Sequence, residues 1–235
     1  MAVLRRGAAL FLLCVGMGGL AAQELNLEFR SLEGWEPLEF DDIQRHSSYS
    51  AVELEGERVL LITSDNAASG LLFERSFDIY QTPVLEFRWR AEKVLEEGNA
   101  RKKAGDDYPV RIYVTFAYDP DEVGFFTRLK YETAKTLYGE YPPLASLNYI
   151  WANREHEKKV LPNPFTERAM MIIVEAGGEH TGLWRRHKRN LLDDYRRAFG
   201  EDPPAEASLA VMGDTDNTGG ATTAYIDYIR VKKSE

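Results

Sequence analysis

The stretch "YPVRIYVTFAY", residues 108–118, decides the fold class because apolar and polar side chains alternate along it. One face of the predicted strand carries Val110, Ile112, Val114 and Phe116, and the opposite face carries Arg111, Tyr113 and Thr115. A period of two with one polar face is typical of a strand in an antiparallel sheet that packs one side on a core.

Similar runs, rich in β-branched and aromatic residues, recur along the chain. They cover residues 49–54, 58–63, 70–79, 83–91, 147–152, 168–177, 207–212 and 222–231. In the run 83–91, "PVLEFRWRA", Leu85, Phe87 and Trp89 share one face. No alternation of strands with helices is visible, so the sequence predicts a mainly β protein, an antiparallel β-sandwich of the jelly-roll, carbohydrate-binding-module-like type.

Two helices are predicted as insertions in this sandwich. The first covers residues 119–139, where Asp119 is the expected N-cap and Gly139 the expected end. The second lies in "RNLLDDYRRAFG", residues 189–200, with Gly200 as its stop. Its apolar stripe consists of Leu191, Tyr195 and Phe199. We interpret the basic run "RRHKR", residues 185–189, as the solvated start of this second helix.

The first 22 residues have the pattern of a secretory signal peptide: Arg5 and Arg6, an apolar run, then small residues before a cleavage point. Cys14 is preceded by Leu13, where lipidation requires a small residue, so we do not expect a lipoprotein. The prediction is a cleaved signal peptide, residues 1–22, and one β-sandwich domain, residues 23–235, located in the periplasm or secreted. The oligomeric state is left open.

Composition narrows the class of partner. Removing residues 1–22 leaves 27 basic and 38 acidic side chains, a net charge of −11, and no cysteine. Phosphate backbones and anionic membranes require concentrated cations, so nucleic acid is not an expected partner, and no transmembrane segment is expected in the mature chain. The four histidines show no zinc spacing, and no catalytic motif identifies a reacting residue.

The segment "GDTDNTGG", residues 213–220, admits two interpretations. Asp214, Asp216, Thr218 and Gly219 match the first half of a calcium loop, but Tyr225 stands where the bidentate Glu belongs. Asp227 lies in the following apolar run, and its motif "YIDYIRV" resembles the last strand in which carbohydrate-binding jelly rolls often carry a calcium ligand. We prefer a hairpin loop of turn-forming residues, and we keep a structural calcium at Asp214, Asp216 and Asp227 as the alternative.

A candidate polyol-binding face is predicted around "DDYPVRIY", residues 106–113. Asp107, Arg111 and Tyr113 share one face of the expected strand, and charged planar groups with an aromatic ring suit a sugar. A solvated outer face is the alternative interpretation. Trp184 follows a glycine in a turn, where exposure is expected. Asn148 and Trp151 face opposite ways on one strand, and a buried tryptophan is more often part of the core.

The order of motifs resembles a bacterial exported family, domain-of-unknown-function family 3047. The resemblance rests on "SGLLF", "KAGDDYPVRIYVTF", "LNYIWAN", "RNLLDDYRRAFGEDPP" and "MGDTDNTG" followed by "AYIDYI". The recurrent motifs contain Trp89, Asp107, Arg111, Asn148, Trp151, Asn190, Asp194, Asp214, Asp216 and Asn217. Asn190 stands where the resemblance leads us to expect Asp. No activity follows from the resemblance.

Together these observations predict an exported, non-catalytic, carbohydrate-binding-like jelly roll with a glycan as its partner. The candidate ligand-binding set is Asp107, Arg111, Tyr113, Asn148, Trp151, Trp184, Asp194 and Asn217. A polysaccharide hydrolase or lyase on the same scaffold, and an envelope module that binds proteins, are the alternatives. The charged segment 92–107 is long enough to be functional or mobile.

Overall fold

Alternating apolar side chains assemble, in the computed structural model, into two facing β-sheets around one main core. The structure describes residues 24–119 and 143–234. Their strands are β1 (Leu25–Glu28), β2 (Trp35–Leu38), β3 (Ser48–Leu54), β4 (Glu57–Asp65), β5 (Ala68–Phe73), β6 (Phe77–Asp78), β7 (Val84–Ala91), β8 (Arg111–Phe116), β9 (Ala145–Ala152), β10 (Val160–Pro162), β11 (Ala169–Ala176), β12 (Arg185–Asn190), β13 (Glu206–Asp214) and β14 (Ala221–Lys232). The predicted mainly β sandwich is confirmed in this general form.

Sheet A has the strand order β12-β7-β14-β4-β3, and β14 lies at its centre. One side of β14 pairs with β7 along its length. The other side pairs first with β4, at Ala221–Ile226, and then with β1, at Tyr228–Val231. An extra residue, Asp227, forms a bulge opposite β7. The last strand of the described chain therefore organises the whole sheet.

Sheet B has the order β10-β11-β9-β8-β13-β5-β2, with β6 also paired to β13. Its pairs are antiparallel except β9 with β11, which run parallel with a bulge between Ile173 and Glu175. The prediction of a purely antiparallel sandwich is wrong at this pair. Side-chain alternation has the same period in both kinds of sheet, so it does not report strand direction.

The predicted core faces are confirmed. Phe87 and Trp89 from sheet A meet Ile112 and Trp151 from sheet B in one buried cluster. The rings of Trp89 and Trp151 lie 6.3 Å apart. All four side chains are fully buried, so Trp151, a candidate ligand-binding residue, belongs to the core.

All nine predicted strand runs contain strands, but the run 70–79 divides into β5 and β6. Strands β1, β2, β10 and β12 were not predicted from the sequence. The last is a correction: "RRHKR" is not the start of a helix but an edge strand paired to β7. Its three arginines form ion pairs with carboxylates on β11, β7 and α1. The basic run alone does not show these pairs.

The second predicted helix is confirmed as α1 (Leu191–Phe199). The side chain of Asn190 caps it by accepting from the N–H groups of Leu192 and Asp193, and Gly200 ends it in the left-handed conformation at φ 77°. The first predicted helix falls almost entirely on residues 120–142, and the predicted signal peptide on residues 1–22; both lie outside the described residues. Among the described helices, none combines the length and the apolar composition of a membrane span.

The charged segment 92–107 is held to sheet B by side-chain bonds from the end of β9. Asn153 accepts from the N–H of Leu95 at 2.8 Å and donates to the carbonyl of Asp107 at 2.5 Å. A Cβ at Gly98 would lie 2.0 Å from the Asn153 amide nitrogen, so this close approach requires glycine. A 3-10 turn at Lys103–Gly105 leads the chain back to β8.

Glu175 on β11 joins sheet B to the edge of sheet A. Its carboxylate accepts from Arg185 Nε and His180 Nδ1, each at 2.8 Å, and His187 Nε2 lies 3.3 Å away without the alignment of a hydrogen bond. The side chain is 5% exposed. Burial alone would raise the pKa of Glu175, but the contacts of His187, Arg185 and His180 outweigh it and lower the pKa from 4.5 to about 2.

This ion cluster predicts an acid-dependent contribution to stability. The folded state keeps Glu175 ionised to lower pH than the unfolded state does, so its contribution is complete above about pH 4.5 and is lost as the pH falls towards 2. We expect Glu175→Gln to lower the free energy of unfolding by about 2 kcal/mol at pH 7, and by much less at pH 3. Urea denaturation at both pH values measures this, with Glu167→Gln, an exposed glutamate, as the control. An equal loss at pH 7 and pH 3 would contradict the assignment.

Candidate functional site

The segment "GDTDNTGG" connects β13 in sheet B to β14 in sheet A, so it crosses between the sheets. The prediction of a hairpin loop is therefore wrong: the strands on either side of it do not pair with each other. Residues 215–220 turn with an N–H of Gly219 bonded to the carbonyl of Thr215 at 2.9 Å, and Gly219 has φ 68°. We call residues 215–220 the crossover loop.

The buried carboxylate of Asp107, which is not part of the crossover loop, binds the loop through hydrogen bonds. Its Oδ1 accepts from the backbone N–H and the side-chain amide of Asn217 at 3.2 and 3.0 Å. Its Oδ2 accepts from the N–H of Thr218 at 2.6 Å. These three bonds satisfy most of the carboxylate's capacity and tie two distant segments together. Asp107 is fully buried, and its structural role is to fix the loop.

Next to Asp107 lies a buried ion pair between Arg111 on β8 and Asp214 at the end of β13. Arg111 Nη2 donates to Asp214 Oδ2, and the N–H of Tyr108 donates to Oδ1 at 3.2 Å. The guanidinium lies against the rings of Tyr108 and Tyr113, at 4.9 and 5.5 Å from their centroids. Arg111 is 4% exposed and Asp214 1%. The predicted polyol-binding face is thus neither a solvated face nor an open surface.

A second carboxylate extends this cluster. Asp106 accepts from the hydroxyl of Tyr108 at 3.0 Å and from the amide of Asn163 at 2.8 Å, and it lies 3.8 Å from Arg111. Burial raises the pKa of Asp214 well above its usual value and raises that of Asp106, although Arg111 opposes both shifts. The single positive charge of Arg111 therefore lies beside two carboxyl groups, those of Asp106 and Asp214, and can neutralise only one of them.

Three carboxylates of this region could contribute to a cation site. Asp107, Asp214 and Asp216 each offer an oxygen within 4.8 Å of the others. The donor type suits calcium, which takes six to eight oxygens. However, both oxygens of Asp107 and both of Asp214 already accept hydrogen bonds. Asp227 lies in sheet A instead, 2.8 Å from Arg88, so the predicted trio does not converge. A structural calcium stays a prediction, and the carboxylate that lies beside Asp214 and Asp216 is that of Asp107 instead of Asp227.

Two other candidate ligand-binding residues are also buried. Asn148 on β9 pairs with Tyr113, on the side of sheet B that faces away from the main core, and is 1% exposed. Asp194 on α1 accepts from Arg189 Nε and from the hydroxyl of Tyr149, both at 2.9 Å, and is 3% exposed. Asp194 thereby anchors the helix to both sheets. Of the predicted set, Trp184 and Asn217 retain exposed surface.

Trp184 belongs to a row of side chains on the face of sheet A that points away from the core. Tyr225 on β14 pairs with Leu61 on β4 and with Arg90 on β7, and Trp184 precedes β12 at the same level. The Trp184 and Tyr225 rings lie 6.4 Å apart, and both are half-buried. We call Leu61, Tyr225, Arg90 and Trp184 the aromatic row. Next to it, Leu183 is 55% exposed.

Charged groups hold the aromatic row in place. Arg88 stacks on the Trp184 ring at 4.8 Å and pairs with Asp227. Glu55 accepts from Arg90 at 3.0 Å and from the Trp184 indole N–H at 3.2 Å. Glu55 is at the tip of the β3–β4 hairpin with φ 55°, a conformation uncommon for residues other than glycine. The tip thereby brings its carboxylate to the outer face of the sheet.

A groove continues this face at one end. It has a volume of about 430 Å³. Its floor carries the hydroxyl groups of Ser48, Thr63 and Thr223, which are neighbours in register on β3, β4 and β14. We call these three residues the hydroxyl row. The hydroxyl row and the aromatic row lie on the same face of the sheet. On each shared strand they are separated by two residues, as Thr63 is from Leu61 and Thr223 from Tyr225.

Of this surface, only Trp184 was predicted from the sequence as a candidate ligand-binding residue. Tyr225, Thr63 and Thr223 were visible as alternating positions in two of the predicted strands. Only the pairing register, which one sequence does not contain, places them side by side.

The family model for "Protein of unknown function (DUF3047)" matches residues 33–230. The chain belongs to this family. The match confirms the resemblance carried by the sequence motifs, and it covers both the buried cluster and the outer face of sheet A.

Solved structures with some likeness to this DUF3047 chain are β proteins with low identity. One is the Crh5 transglycosylase in complex with NAG, at 12% identity and a TM-score of 0.45, covering 92% of this chain and 86% of that chain. A family 11 carbohydrate-binding module from Clostridium thermocellum has 10% identity and a TM-score of 0.43, with 90% and 96% covered. Lectin I-B4 from Griffonia simplicifolia has 12% identity and a TM-score of 0.38, with 91% and 100% covered. No curated protein matches the chain. At these values the likeness carries no information on ligand or activity.

The buried ion pair predicts a large stability effect. We expect Arg111→Ala to lower the free energy of unfolding by about 3–5 kcal/mol, because it leaves Asp214 buried without its counter-charge. Urea denaturation measures the loss. Arg168→Ala, at an exposed arginine, is the control and should change stability by less than about 0.5 kcal/mol. A loss below about 1 kcal/mol at Arg111 would contradict this role.

Asp216 provides the test for calcium. Burial and the charge of Asp107 raise its pKa, so the ionised carboxylate destabilises the folded state at pH values above this raised pKa. In EDTA at pH 8 we expect Asp216→Asn to raise the free energy of unfolding by on the order of 1 kcal/mol. Calcium should then raise the melting temperature of the natural protein and not that of the variant.

The control for this experiment is Asp41→Asn, at an exposed aspartate. A melting temperature of the natural protein that does not respond to calcium would end the calcium prediction. The stability of the variant in EDTA would still report repulsion between Asp216 and Asp107.

Proposed function

We propose that this protein is a non-catalytic glycan-binding protein of the jelly-roll, carbohydrate-binding-module-like type, and that the outer face of sheet A is its binding surface. The observation that carries the proposal is the half-buried ring pair of Trp184 and Tyr225, framed by arginines and carboxylates on a sheet face. Aromatic rings pack against the C–H faces of sugars, while planar charged groups bond pairs of sugar hydroxyls.

The charges of this face are arranged for a polyol. Arg88 is paired with Asp227, and Arg90 lies between Glu55 and Glu92, at 3.0 and 2.8 Å. A guanidinium held by carboxylates has lost its conformational freedom before a ligand arrives, so binding incurs a smaller entropic penalty. Because the charges are already neutralised locally, sugar hydroxyls can bond to them without leaving an unpaired ion.

The extended strands beneath the face make it rigid. Members of the aromatic row come from β4, β14 and β7, three adjacent strands, and from the residue before β12. Their spacing is fixed by backbone hydrogen bonds and not by loops. A rigid row of this kind suits consecutive units of a glycan chain.

The proposal includes export, since residues 1–22 have the pattern of a signal peptide. The protein would then meet its glycan in the periplasm or outside the cell. Cell fractionation followed by amino-terminal sequencing tests this part, and an uncleaved cytoplasmic chain would contradict it.

The binding surface is tested by Trp184→Ala. We expect the variant to bind glycan about tenfold more weakly, with a melting temperature close to that of the natural protein, because a half-buried ring at a sheet edge contributes little to the core. Affinity electrophoresis through a panel of neutral and acidic polysaccharides identifies the ligand, and calorimetry with its oligomers measures the loss.

Tyr80→Ala is the matched control, because Tyr80 is 45% exposed and follows β6 in sheet B. It should leave binding unchanged. Equal binding by the Trp184 variant would remove the outer face of sheet A from the proposal. New reducing ends or unsaturated products in the same mixtures would contradict the non-catalytic assignment.

A further inference from the structure

The groove beside the hydroxyl row contains a cation that the protein itself does not neutralise. Lys93 lines the groove and is exposed. Among the described residues, no carboxylate lies within 4 Å of it. The other basic side chains there have carboxylate partners: Arg45 pairs with Asp65 at 2.9 Å, and His46 Nδ1 lies 3.1 Å from Glu39. Against the net charge of −9 of the whole protein, Lys93 gives this groove a cation that can bind an anionic ligand.

Side chains with hydroxyl groups line the same groove as Lys93. Ser48 and Thr63 share one hydrogen bond at 2.5 Å, which leaves one of the two hydroxyl protons available. The hydroxyl of Thr223, on the next strand, has no bond to another described side chain or backbone group. The neighbouring Thr222 is turned inward and bonds the carbonyl of Lys93 at 3.0 Å, which fixes the backbone beneath the lysine.

From these groups we infer that the groove is a subsite for a uronic acid unit of the glycan. Lys93 binds the sugar carboxylate, while Thr223 and the Ser48–Thr63 pair bond its ring hydroxyls. A neutral sugar would use the hydroxyls but would form no charge-assisted hydrogen bond between a carboxylate and the ammonium group. The volume of about 430 Å³ is within the ~300–1,000 Å³ typical of small-molecule sites.

The position of the groove links it to the aromatic row. Thr223 and Tyr225 are two residues apart on β14, and Thr63 and Leu61 have the same relation on β4. Positions two apart on a strand lie on one face, about 7 Å from each other. One glycan chain can therefore contact the aromatic row and place a neighbouring unit in the groove. This inference rests on the proposed function and adds the chemical class of the ligand.

The test compares polymers that differ only in the carboxylate. Polygalacturonate, alginate and hyaluronate are each paired with the same polymer after chemical reduction of its carboxyl groups, and dextran sulfate reports attraction to any polyanion. We expect the natural protein to bind at least one polyuronate about tenfold more tightly than its reduced form, as for loss of one charge-assisted hydrogen bond. Lys93→Gln should abolish this preference.

Lys158→Gln is the matched control, since Lys158 is an exposed lysine outside the groove, and it should keep the preference. The inference is overturned if no polyuronate binds, if the reduced polymers bind equally well, if dextran sulfate is preferred, or if Lys93→Gln retains the preference. Suppose that a neutral or reduced polymer binds as tightly as any polyuronate, and that Trp184→Ala loses this binding. The proposed function would then stand, and the uronic acid subsite would be ruled out.

Discussion

The buried ion pair of Arg111 and Asp214 is the constraint on which the arrangement of the two sheets depends. Arg111 is the first residue of β8, and Asp214 is the last residue of β13. A buried guanidinium requires a counter-charge, so the end of β13 is fixed beside β8. Asp107 then holds the crossover loop, and β14 begins at Ala221 in a defined register. That register places Tyr225 beside Arg90 on the outer face of sheet A.

The two outer faces of the sandwich differ in a way that bears on function. The outer face of sheet B is closed at β8 and β9, where Arg111, Tyr113 and Asn148 are buried. The outer face of sheet A keeps Trp184, Tyr225 and the hydroxyl row accessible in part. Polar residues that point away from the main core are therefore buried in sheet B at β8 and β9, whereas in sheet A they are partly accessible. The proposed ligand belongs to the open sheet.

Strand positions were predictable from the sequence because burial of one face imposes alternation, as in the runs around Trp89 and Ile112. The edge strand β12 was not, because Arg185 and Arg186 pair with Glu175 on β11 and Glu86 on β7, contacts that depend on tertiary packing. The same limit applies to the candidate site. Acid, arginine and tyrosine near residue 110 have the composition of a sugar site, but their burial depends on tertiary packing. The partial exposure of Trp184 could be predicted from its position after a turn.

The central position of β14 has a consequence for the order in which the protein can fold. This strand follows all the others in the described sequence, yet it pairs with β1, β4 and β7. Until it is available, the β3–β4 hairpin and the β7–β12 pair have no common neighbour and expose apolar strand edges. Sheet A therefore cannot assemble progressively during synthesis, because its strands must await the last of them. A chain with such a topology depends on staying unaggregated while incomplete, and the pairs of β14 with β1, β4 and β7 form in one late step.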